Sequence, residues 1–386
     1  MAVRYINVRS NVEMFSPVVR ATGNVAVIGT AATGTDNKVV PVTSPAAAAV
    51  LFGPATVPDP ADATRQVPNS SLTAALVALF GQSPGPAQVF AVKANGGATG
   101  AVSDPSAALT AIEALDVQFV VLAKTPLTTA SGAATGAVGR LAAHVTDVSE
   151  RGGEGRERMG VAMLAKDSAD PAVVTGALAS DRMIYIAHRS DEDAAAAVTG
   201  TVAGHPPHVS MLLKQVAITS APFAVADIDK LNQSEQFGNP PKGNGVNWLD
   251  HPALIPGGGV YLGEGYTGNP AKMKFIDVQR TVDDVTFKLK ARLIRAIGSL
   301  RISRSGLRAL VVQLEAVLDP LVRGEVIEGY AIDVPVLDLL DADPAALTPA
   351  QLKVIQDAQN DRVAEVLVSV DYAGAVHRIA LTLNFT

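Results

Sequence analysis

Residues 363 to 385 read VAEVLVSVDYAGAVHRIALTLNF, two apolar runs separated by a short break at 372–374. In the second run every other position is apolar: Ile379, Leu381, Leu383 and Phe385. This period of two predicts a half-buried β-strand with His377 on the apolar side and Arg378 on the other. Because chain ends fray unless they are held, we expect a partner sheet to bury this strand, either in the same molecule or in another one.

A second short strand is predicted over residues 2–8, and its apolar members are Val3, Tyr5, Ile6 and Val8. From residue 24 to residue 202, short apolar runs alternate with segments of helical periodicity. The predicted strands cover 24–29, 88–92, 117–123, 160–164 and 182–187, and the predicted helices cover 71–80, 105–115, 136–149, 171–179 and 194–202. This alternation is typical of an α/β unit with a largely parallel sheet.

The composition changes after residue 238. Glycine and proline dominate 239–270, which predicts a connection between domains. Two long helices are then expected, from Thr281 to Leu300 and from Ser305 to Leu321, followed by a strand at 326–334 and a helix at 349–361. The predicted fold class is α/β and α+β, organised as an extended arm (1–20), an α/β domain (21–238), a Gly/Pro-rich connection (239–270), an α+β domain (271–370) and a C-terminal strand arm (371–386).

The composition excludes several kinds of protein. The formal charge is −6, so no overall positive field exists that would attract nucleic acid. The chain has no cysteine, which rules out disulfides, thiolate zinc sites and a cysteine nucleophile. Residues 1–20 lack the apolar core of a signal peptide, and no apolar run is long enough to span a bilayer. We therefore expect a soluble protein made in the cytosol, without membrane insertion.

Three short motifs match known kinds of site in part, and each has a simpler explanation. Gly81-Gln82-Ser83-Pro84-Gly85 fits the G-x-S-x-G pattern, but a predicted helix precedes it and a strand follows it, the reverse of a nucleophile elbow. The loop 29–34 follows a buried strand but lacks the lysine of a phosphate-binding loop. The prolines between His205 and His208 prevent the helical spacing of metal ligands. We predict no catalytic, cofactor-binding or metal-binding residues.

Basic residues outnumber acidic ones along the two long helices, although the whole chain is acidic. Five arginines lie beside or opposite the apolar stripes: Arg292, Arg295, Arg301, Arg304 and Arg308. This pattern is typical of a solvated helix face. It also fits a docking surface for an acidic partner, on which charges set orientation more than affinity.

The region after residue 252 resembles the tail sheath subunit of contractile phage tails and related contractile injection systems, including R-type bacteriocins. The resemblance rests on the helix start FIDVQRTVDD at 275–284, a second helix, the segment VRGEVIEGY at 322–330 and the closing apolar strand. The extreme N-terminus and the overall length are also similar to the smaller members of that family. Residues 21–238 agree with it only in being an α/β insertion.

The resemblance implies an inner α+β domain with exchanged terminal strands and a variable outer α/β domain. Sheath subunits stack as hexameric rings around an inner tail tube, and terminal strands of two subunits add to the small sheet of a third. In this chain the donated strands would be 2–8 and 376–385, and the accepting strands would lie near 326–334 and 363–370. The five arginines become the candidate face that docks on the tube.

The resemblance also implies a contraction that drives the tube through a target envelope without nucleotide hydrolysis. The implied partners are other copies of the chain, the inner tube protein, and baseplate and terminator proteins, with no cofactor and no nucleic acid. The protein would be assembled in the cytoplasm of the producing cell and would end in a virion tail or an injection particle.

Two other classes stay open at the level of the sequence. One is a two-domain α/β hydrolase or nucleotide-using enzyme built on residues 24–35 or on Ser83, which leaves both terminal strands unexplained. The other is a non-contractile tube or capsid-like protein that uses the same strand exchange.

Overall fold

The structure is a computed structural model that describes residues 21–151, 155–236, 239–272, 274–379 and 381. The chain forms two compact units, and the boundary between them falls inside one long helix, between Asp284 and Val285. Within the described ranges, the large unit comprises residues 21–284 and 375–381, and the small unit comprises 285–374. The predicted N-terminal strand, with Val3, Tyr5, Ile6 and Val8, lies outside the described residues.

The large unit is built around one broad β-sheet. In chain order the strands of this unit are β1 Asn24–Gly29, β2 Val39–Val42, β3 Thr56–Pro58, β4 Gln66–Pro68, β5 Gln88–Lys93, β6 Phe119–Leu127, β7 Met159–Leu164, β8 Met183–Ala187, β9 Gln215–Val216, β10 Asn247–Asp250 and β11 Val260–Leu262. Strands β3 and β4 form a separate hairpin, and the other nine pair in the order β2-β5-β1-β6-β7-β8-β10-β11-β9. The run from β5 to β10 is parallel, whereas β2, β11 and β9 join antiparallel. The predicted α/β unit with a largely parallel sheet is therefore confirmed.

Helices cover both faces of this sheet. They are α1 Pro45–Phe52, α2 Ser71–Phe80, α3 Ser106–Ile112, α4 Thr129–Gly132, α5 Ala137–Glu150, α6 Ala194–Gly204, α7 Val225–Asn232 and the first part of α8 Ile276–Leu293. Val25 and Val27 of β1 enter one core with α2 and α6, whereas Ala26 and Ile28 enter the other core with α3 and α5. Burial on both faces explains why β1 is an unbroken apolar run.

Helix α6 packs closely against its neighbours because its residues are small. An added Cβ at Gly200 would lie 2.5 Å from the carbonyl oxygen of Leu79, and one at Gly204 would lie 2.0 Å from that of Pro84. The helix is buried on nearly every side, as expected for a helix that is apolar all round. The Gly81–Gly85 loop is thus held against the end of α6.

The small unit contains the rest of α8, three further helices and a small sheet. Its elements are α9 Arg304–Arg323, β12 Ile327–Asp333, α10 Pro335–Asp341, α11 Pro349–Asp361 and β13 Leu367–Tyr372. Strands β12 and β13 pair antiparallel, with Tyr330 opposite Val370. The core beneath them is formed by Val285, Leu318, Leu321 and Ile327. This part of the chain is α+β, as predicted.

The predicted helix at 171–179 is wrong. The segment forms two single turns of 3-10 helix, Pro171–Val173 and Gly176–Leu178. The Asp170 side chain and Pro171 favour a helical start. However, the backbone is already non-helical at Val174 and Thr175, and Gly176 follows with φ of +56°, so the helix ends after one turn.

The predicted connection at 239–270 is also wrong. This region contributes β10 and β11 to the large sheet, and Trp248, Leu249 and Leu262 are buried. Part of its glycine content serves close packing, because an added Cβ at Gly263 would lie 2.3 Å from the Trp248 ring. The glycine and proline content of 239–270 therefore indicated tight turns. The boundary between the two units lies within α8.

The first long helix differs from its prediction at both ends. Helix α8 begins at Ile276, before the predicted cap Thr281, and it ends at Leu293. The following residues form turns, and Gly298 has φ of +83°. No described helix combines the length and the apolarity that crossing a bilayer requires.

Candidate functional site

The segment 375–378 is the base of the predicted C-terminal arm, and we call it the arm base. Strand β13 belongs to the small unit up to Gly374, but the arm base belongs to the large unit. The described residues 375–379 and 381 are not in a strand. The predicted strand 376–385 is therefore not formed in its described part, and Leu383 and Phe385 lie outside the described residues.

His377 fixes the arm base through both of its ring nitrogens. Its Nδ1 lies 3.1 Å from Glu264 Oε2, and its Nε2 lies 2.8 Å from Ser210 Oγ. A neutral imidazole satisfies both contacts if Nδ1 donates to the carboxylate and Nε2 accepts the hydroxyl proton of Ser210. The ring also lies 4.7 Å, between centroids, from the ring of Phe275.

Arg378 holds the other oxygen of the same carboxylate. Its Nη2 donates to Glu264 Oε1 at 2.5 Å, and its Nε forms an ion pair with Glu235 at 2.7 Å. The prediction that His377 and Arg378 point to opposite sides is wrong. The alternation of a strand depends on a pleated backbone, and here both side chains converge on the two oxygens of one buried acid.

Glu264 is the centre of this cluster and is only 1% exposed. Burial alone raises the pKa of Glu264, but the hydrogen bond from His377 and the charge of Arg378 outweigh burial and hold the pKa below its ordinary value. Glu264 is therefore ionised at neutral pH, and the arm base compensates its charge.

Lys274 lies near the same cluster, over the Tyr266 and Phe275 rings. Its Nζ is 5.3 Å and 5.2 Å from their centroids, and burial lowers its pKa.

The two apolar residues after the arm base that the structure describes are exposed. Ile379 is 85% exposed and Leu381 is 70% exposed. Val376, within the arm base, is also exposed. The arm is thus held by polar contacts at its base while its described apolar side chains face solvent.

The segment 275–284, which carried much of the resemblance, joins several parts of the large unit. Arg280 is buried and donates to the carbonyl oxygens of His205 (2.9 Å), Pro206 (3.3 Å) and Thr22 (3.3 Å). Its guanidinium lies 5.2 Å from the centroid of the Phe119 ring, and burial lowers its pKa to about 10. Arg280 is therefore still charged at neutral pH and satisfies carbonyls at the end of α6.

Asp283, in the same segment, forms an ion pair with Arg182 at 2.5 Å. Burial raises the pKa of Asp283, and Arg182 opposes this rise. Asp283 lies two turns into α8, beyond the first turn where a carboxylate stabilises the helix dipole, and it binds a specific partner within the large unit.

Strands β12 and β13 are the candidate acceptors for a donated strand. One face of the pair packs on α9 through Ile327, Tyr330, Ile332 and Val368. On β13, Leu367 and Val370 are 60% and 37% exposed. Among the described residues this sheet contains no third strand.

The five arginines do not form one surface. Arg292 is buried at 8% exposure, which corrects its assignment to an exposed face. Arg304 and Arg308 lie on α9 and pair with Asp341, at 3.7 Å and 3.0 Å. Arg295 and Arg301 are exposed in the turns between α8 and α9.

The same turns expose two large apolar side chains. Ile294 is 67% exposed and Ile297 is 78% exposed. The predicted helix to Leu300 would have placed both on or beside its buried stripe. Because α8 ends at Leu293, they stand instead in an exposed basic segment beside Arg295 and Arg301.

The three motifs with partial matches to known sites lie in loops. The Gly81–Gly85 loop follows α2 and precedes β5, as predicted, without a strand-to-helix elbow. After β1, the loop 30–34 is not followed by a helix until Pro45, and the Thr30 hydroxyl bonds the Gly100 carbonyl at 3.2 Å. The described residues contain no group of three or more His, Asp or Glu side chains arranged to hold a metal ion.

The central residue of the cluster was not predicted from the sequence. Glu264 and its partner His377 are separated by 113 positions, and Ser210 is 167 positions from His377. The one signal was a charged residue between two glycines after an apolar strand, in Gly263-Glu264-Gly265. That pattern does not reveal which residue it binds.

Solved structures with the same fold cover the full length of the chain. One is the helical sheath of the anti-feeding prophage (AFP) in its contracted state, with 12% identity, coverage of 100% of this chain and 99% of that one, and a TM-score of 0.65. Another is the sheath complex of PVC, an extracellular contractile injection system, also contracted, with 12% identity, 100% and 97% coverage and a TM-score of 0.64. A chain of the AFP baseplate has 13% identity, 100% and 99% coverage and a TM-score of 0.60.

No protein-family model matches the sequence, and a search of curated proteins finds no match either. At identities of 12–13% the likeness concerns the fold. The resemblance predicted from segments 275–284 and 322–330 is confirmed at this level: over its whole length, the chain has the fold of the sheath proteins of contractile injection systems.

Proposed function

We propose that this chain is the sheath subunit of a contractile tail or injection particle. Subunits stack as hexameric rings around an inner tube, and contraction of the sheath drives the tube through a target envelope. The observation that carries the proposal is the full-length correspondence, across both units, with chains of two contracted sheaths. If the chain merely shared a common α/β domain with these proteins, the correspondence would be limited to the large unit.

The C-terminal arm is the proposed link between subunits. Ile379 and Leu381 are the described members of an alternating apolar run and are exposed in the single chain. An exposed strand of this kind gains backbone hydrogen bonds and apolar burial when it adds to the edge of another sheet. The proposed donor residues on this arm are Ile379, Leu381, Leu383 and Phe385.

The proposed acceptor is the β12–β13 sheet of a neighbouring subunit. Its apolar residues Leu367 and Val370 remain partly exposed in the single chain. Alternating donor side chains fix the register, because a shift by one residue would turn the apolar side outward. The N-terminal residues Val3, Tyr5, Ile6 and Val8 are proposed as a second donor, on the resemblance alone.

The tube-docking face is proposed to lie on the turns between α8 and α9. Exposed Arg295 and Arg301 lie in the same short segment as exposed Ile294 and Ile297, so the segment offers both charge and apolar area to a partner. Arg304 and Arg308 contribute less charge because Asp341 already pairs with both. The remaining proposed partners are baseplate and terminator proteins at the two ends of the sheath.

The proposed life cycle begins in the cytoplasm of the producing cell, where subunits assemble on the tube. It ends in a virion tail or an injection particle. Subunits can rotate past one another without separating because paired strands keep them joined while short connections bend. Contraction then needs no nucleotide hydrolysis.

Electron microscopy of the purified protein tests this function. We expect striated tubules wide enough to enclose a second tube. Small discrete particles at every protein concentration and ionic strength would contradict it and favour the enzyme class. Narrow tubules without a lumen for an inner tube would favour the non-contractile alternative.

A truncation tests the role of the arm in assembly. Removal of residues 376–386 would also remove His377 and Arg378 and leave Glu264 buried without them. A chain that ends after Ile379 keeps the arm base and removes only later residues. We expect this shorter chain to fold and to form no tubules, and tubules of normal appearance would refute strand donation by the arm.

A further inference from the structure

We infer that Glu264 is a positioning residue for the C-terminal arm. It holds the arm base on the large unit, so the arm leaves the subunit from the large unit although the preceding strand β13 belongs to the small unit. The donor part of the arm then begins at Ile379. This role rests on the proposed strand exchange, whereas the contact itself does not.

The first support is that the arm base meets a built site. Glu264 is buried, and its two oxygens are each used by a different residue of the arm base, His377 Nδ1 at 3.1 Å and Arg378 Nη2 at 2.5 Å. Ser210 bonds the other nitrogen of His377 at 2.8 Å, and Phe275 covers the ring. Two consecutive side chains are thus fixed by four residues of the large unit, Glu235 included.

The second support is the contrast along the arm. The side chains of His377 and Arg378 are 14% and 29% exposed, whereas Ile379 and Leu381 are 85% and 70% exposed. The change occurs between two adjacent residues. The residues before the arm base are also open, because nothing lies within 4 Å of a Cβ added at Gly374.

The third support is the free-energy cost of a buried Glu264 carboxylate that lacks His377 and Arg378 as partners. A buried carboxylate without partners is unfavourable, so Glu264 would be a poor choice for this position if it served the large unit alone. Charge-assisted hydrogen bonds are about twice as strong as neutral ones. The contacts of Glu264 with His377 and Arg378 therefore bind the arm base strongly but reversibly.

An anchored base lowers the entropic cost of donating the arm. Ordering a backbone residue during assembly costs free energy, and Glu264 already holds His377 and Arg378 in the single chain. If Glu264 is neutralised, these residues are released and must be ordered again in the polymer. We expect the critical concentration for polymerisation to rise about tenfold or more.

Trypsin cleavage after Arg378 directly measures whether Glu264 holds the arm base. We call this contact of Glu264 with His377 and Arg378 the anchor. The protease must bind the Arg378 side chain, which Glu264 and Glu235 hold in the single chain. When opening is fast relative to cleavage, the cleavage rate follows the population of the open form. On unassembled subunits isolated by size exclusion, Glu264→Gln should speed cleavage after Arg378 about tenfold or more, measured by mass spectrometry of the released peptide.

Two further variants make the result specific. Glu150→Gln is the matched control, because Glu150 is exposed at the end of α5 and lies outside the site, so its substitution should change the rate by less than about twofold. His377→Ala removes the contacts to Ser210 and Phe275, keeps the trypsin site and should also speed cleavage. Fluorescence of Trp248, the one tryptophan of the chain, checks that each variant is folded.

The outcomes separate the anchor from the function. Unchanged cleavage after Arg378 in both folded variants, Glu264→Gln and His377→Ala, would overturn the anchor. Faster cleavage with an unchanged critical concentration would overturn the positioning role. If the unaltered protein never polymerises, the proposed function fails and the positioning role with it, while the cleavage rates still report whether Glu264 holds the arm.

Discussion

The double substitution Ile379→Asp with Leu381→Asp separates the folding of the subunit from its assembly. Both side chains are largely exposed in the single chain, at 85% and 70%. Exposed substitutions away from special features usually change the free energy of unfolding by less than about 0.5 kcal/mol. The stability of the isolated subunit should therefore be nearly unchanged.

Assembly should respond much more strongly. If both side chains are buried in a neighbouring sheet, each contributes about 1.5–3 kcal/mol of apolar burial. Their loss amounts to about 3–6 kcal/mol per subunit contact, and burial of the new carboxylates is a further cost. Since about 1.4 kcal/mol corresponds to a factor of ten, the critical concentration should rise by at least about 100-fold.

The assay is sedimentation of polymer across a concentration series, with thermal unfolding followed through Trp248. Leu254→Asp is a matched control, because Leu254 is 96% exposed and lies outside the arm, between β10 and β11. The control should polymerise like the unaltered protein. If the double variant polymerises at the same concentration as the control, the arm does not bury these residues in a partner.

Three other predictions test separate parts of the account. Arg295→Glu with Arg301→Glu should leave polymerisation of the sheath protein alone unchanged but reduce its co-sedimentation with purified inner tube, most strongly at low salt; equal co-sedimentation at low salt would refute the docking face. Because the folded-state pKa of Glu264 lies below its ordinary value of 4.5, the contribution of its contacts with His377 and Arg378 should be complete above pH 4.5 and lost as the pH falls through the lower folded-state value. Cleavage of the arm base by an acid protease, corrected for the pH dependence of the protease itself, should speed up only in that acidic range, and a rise above about pH 5 would be inconsistent with it. Ser83→Ala should leave tubule formation unchanged by electron microscopy, and loss of tubules would give this loop an unexpected role.

Elements with a strong local signal were predictable from the sequence. Strand β1 and helices α2 and α11 have the predicted bounds, because an apolar run closed by glycine and clear helix starts determine them locally. The parallel sheet followed from the alternation of strands and helices. The resemblance correctly indicated the fold from a few segments of the last third of the chain.

Features that depend on distant partners were not predictable. Glycine and proline at 239–270 suggested a linker, but Gly263 is there because Trp248 leaves no room for a side chain. The alternation at 376–385 suggested that His377 and Arg378 face apart, but Glu264 draws both to one place. Arg292 matched an exposed basic pattern, yet it is buried. In each case tertiary contacts decided the outcome, and local periodicity carries no information about them.

Cysteine cross-linking tests most directly whether the arm of one subunit joins the sheet of another. The chain has no cysteine of its own, so every disulfide joins introduced residues, and the single-cysteine variants control for disulfides between like positions. Leu381→Cys is combined with Ser369→Cys on β13 or with Glu328→Cys on β12, and tubules are oxidised and analysed on a non-reducing gel. Disulfides form only when the two Cβ atoms approach to about 4 Å. We expect a ladder of dimers, trimers and larger species in at least one pair, whereas tubules that yield only monomers from both pairs would contradict strand exchange between subunits.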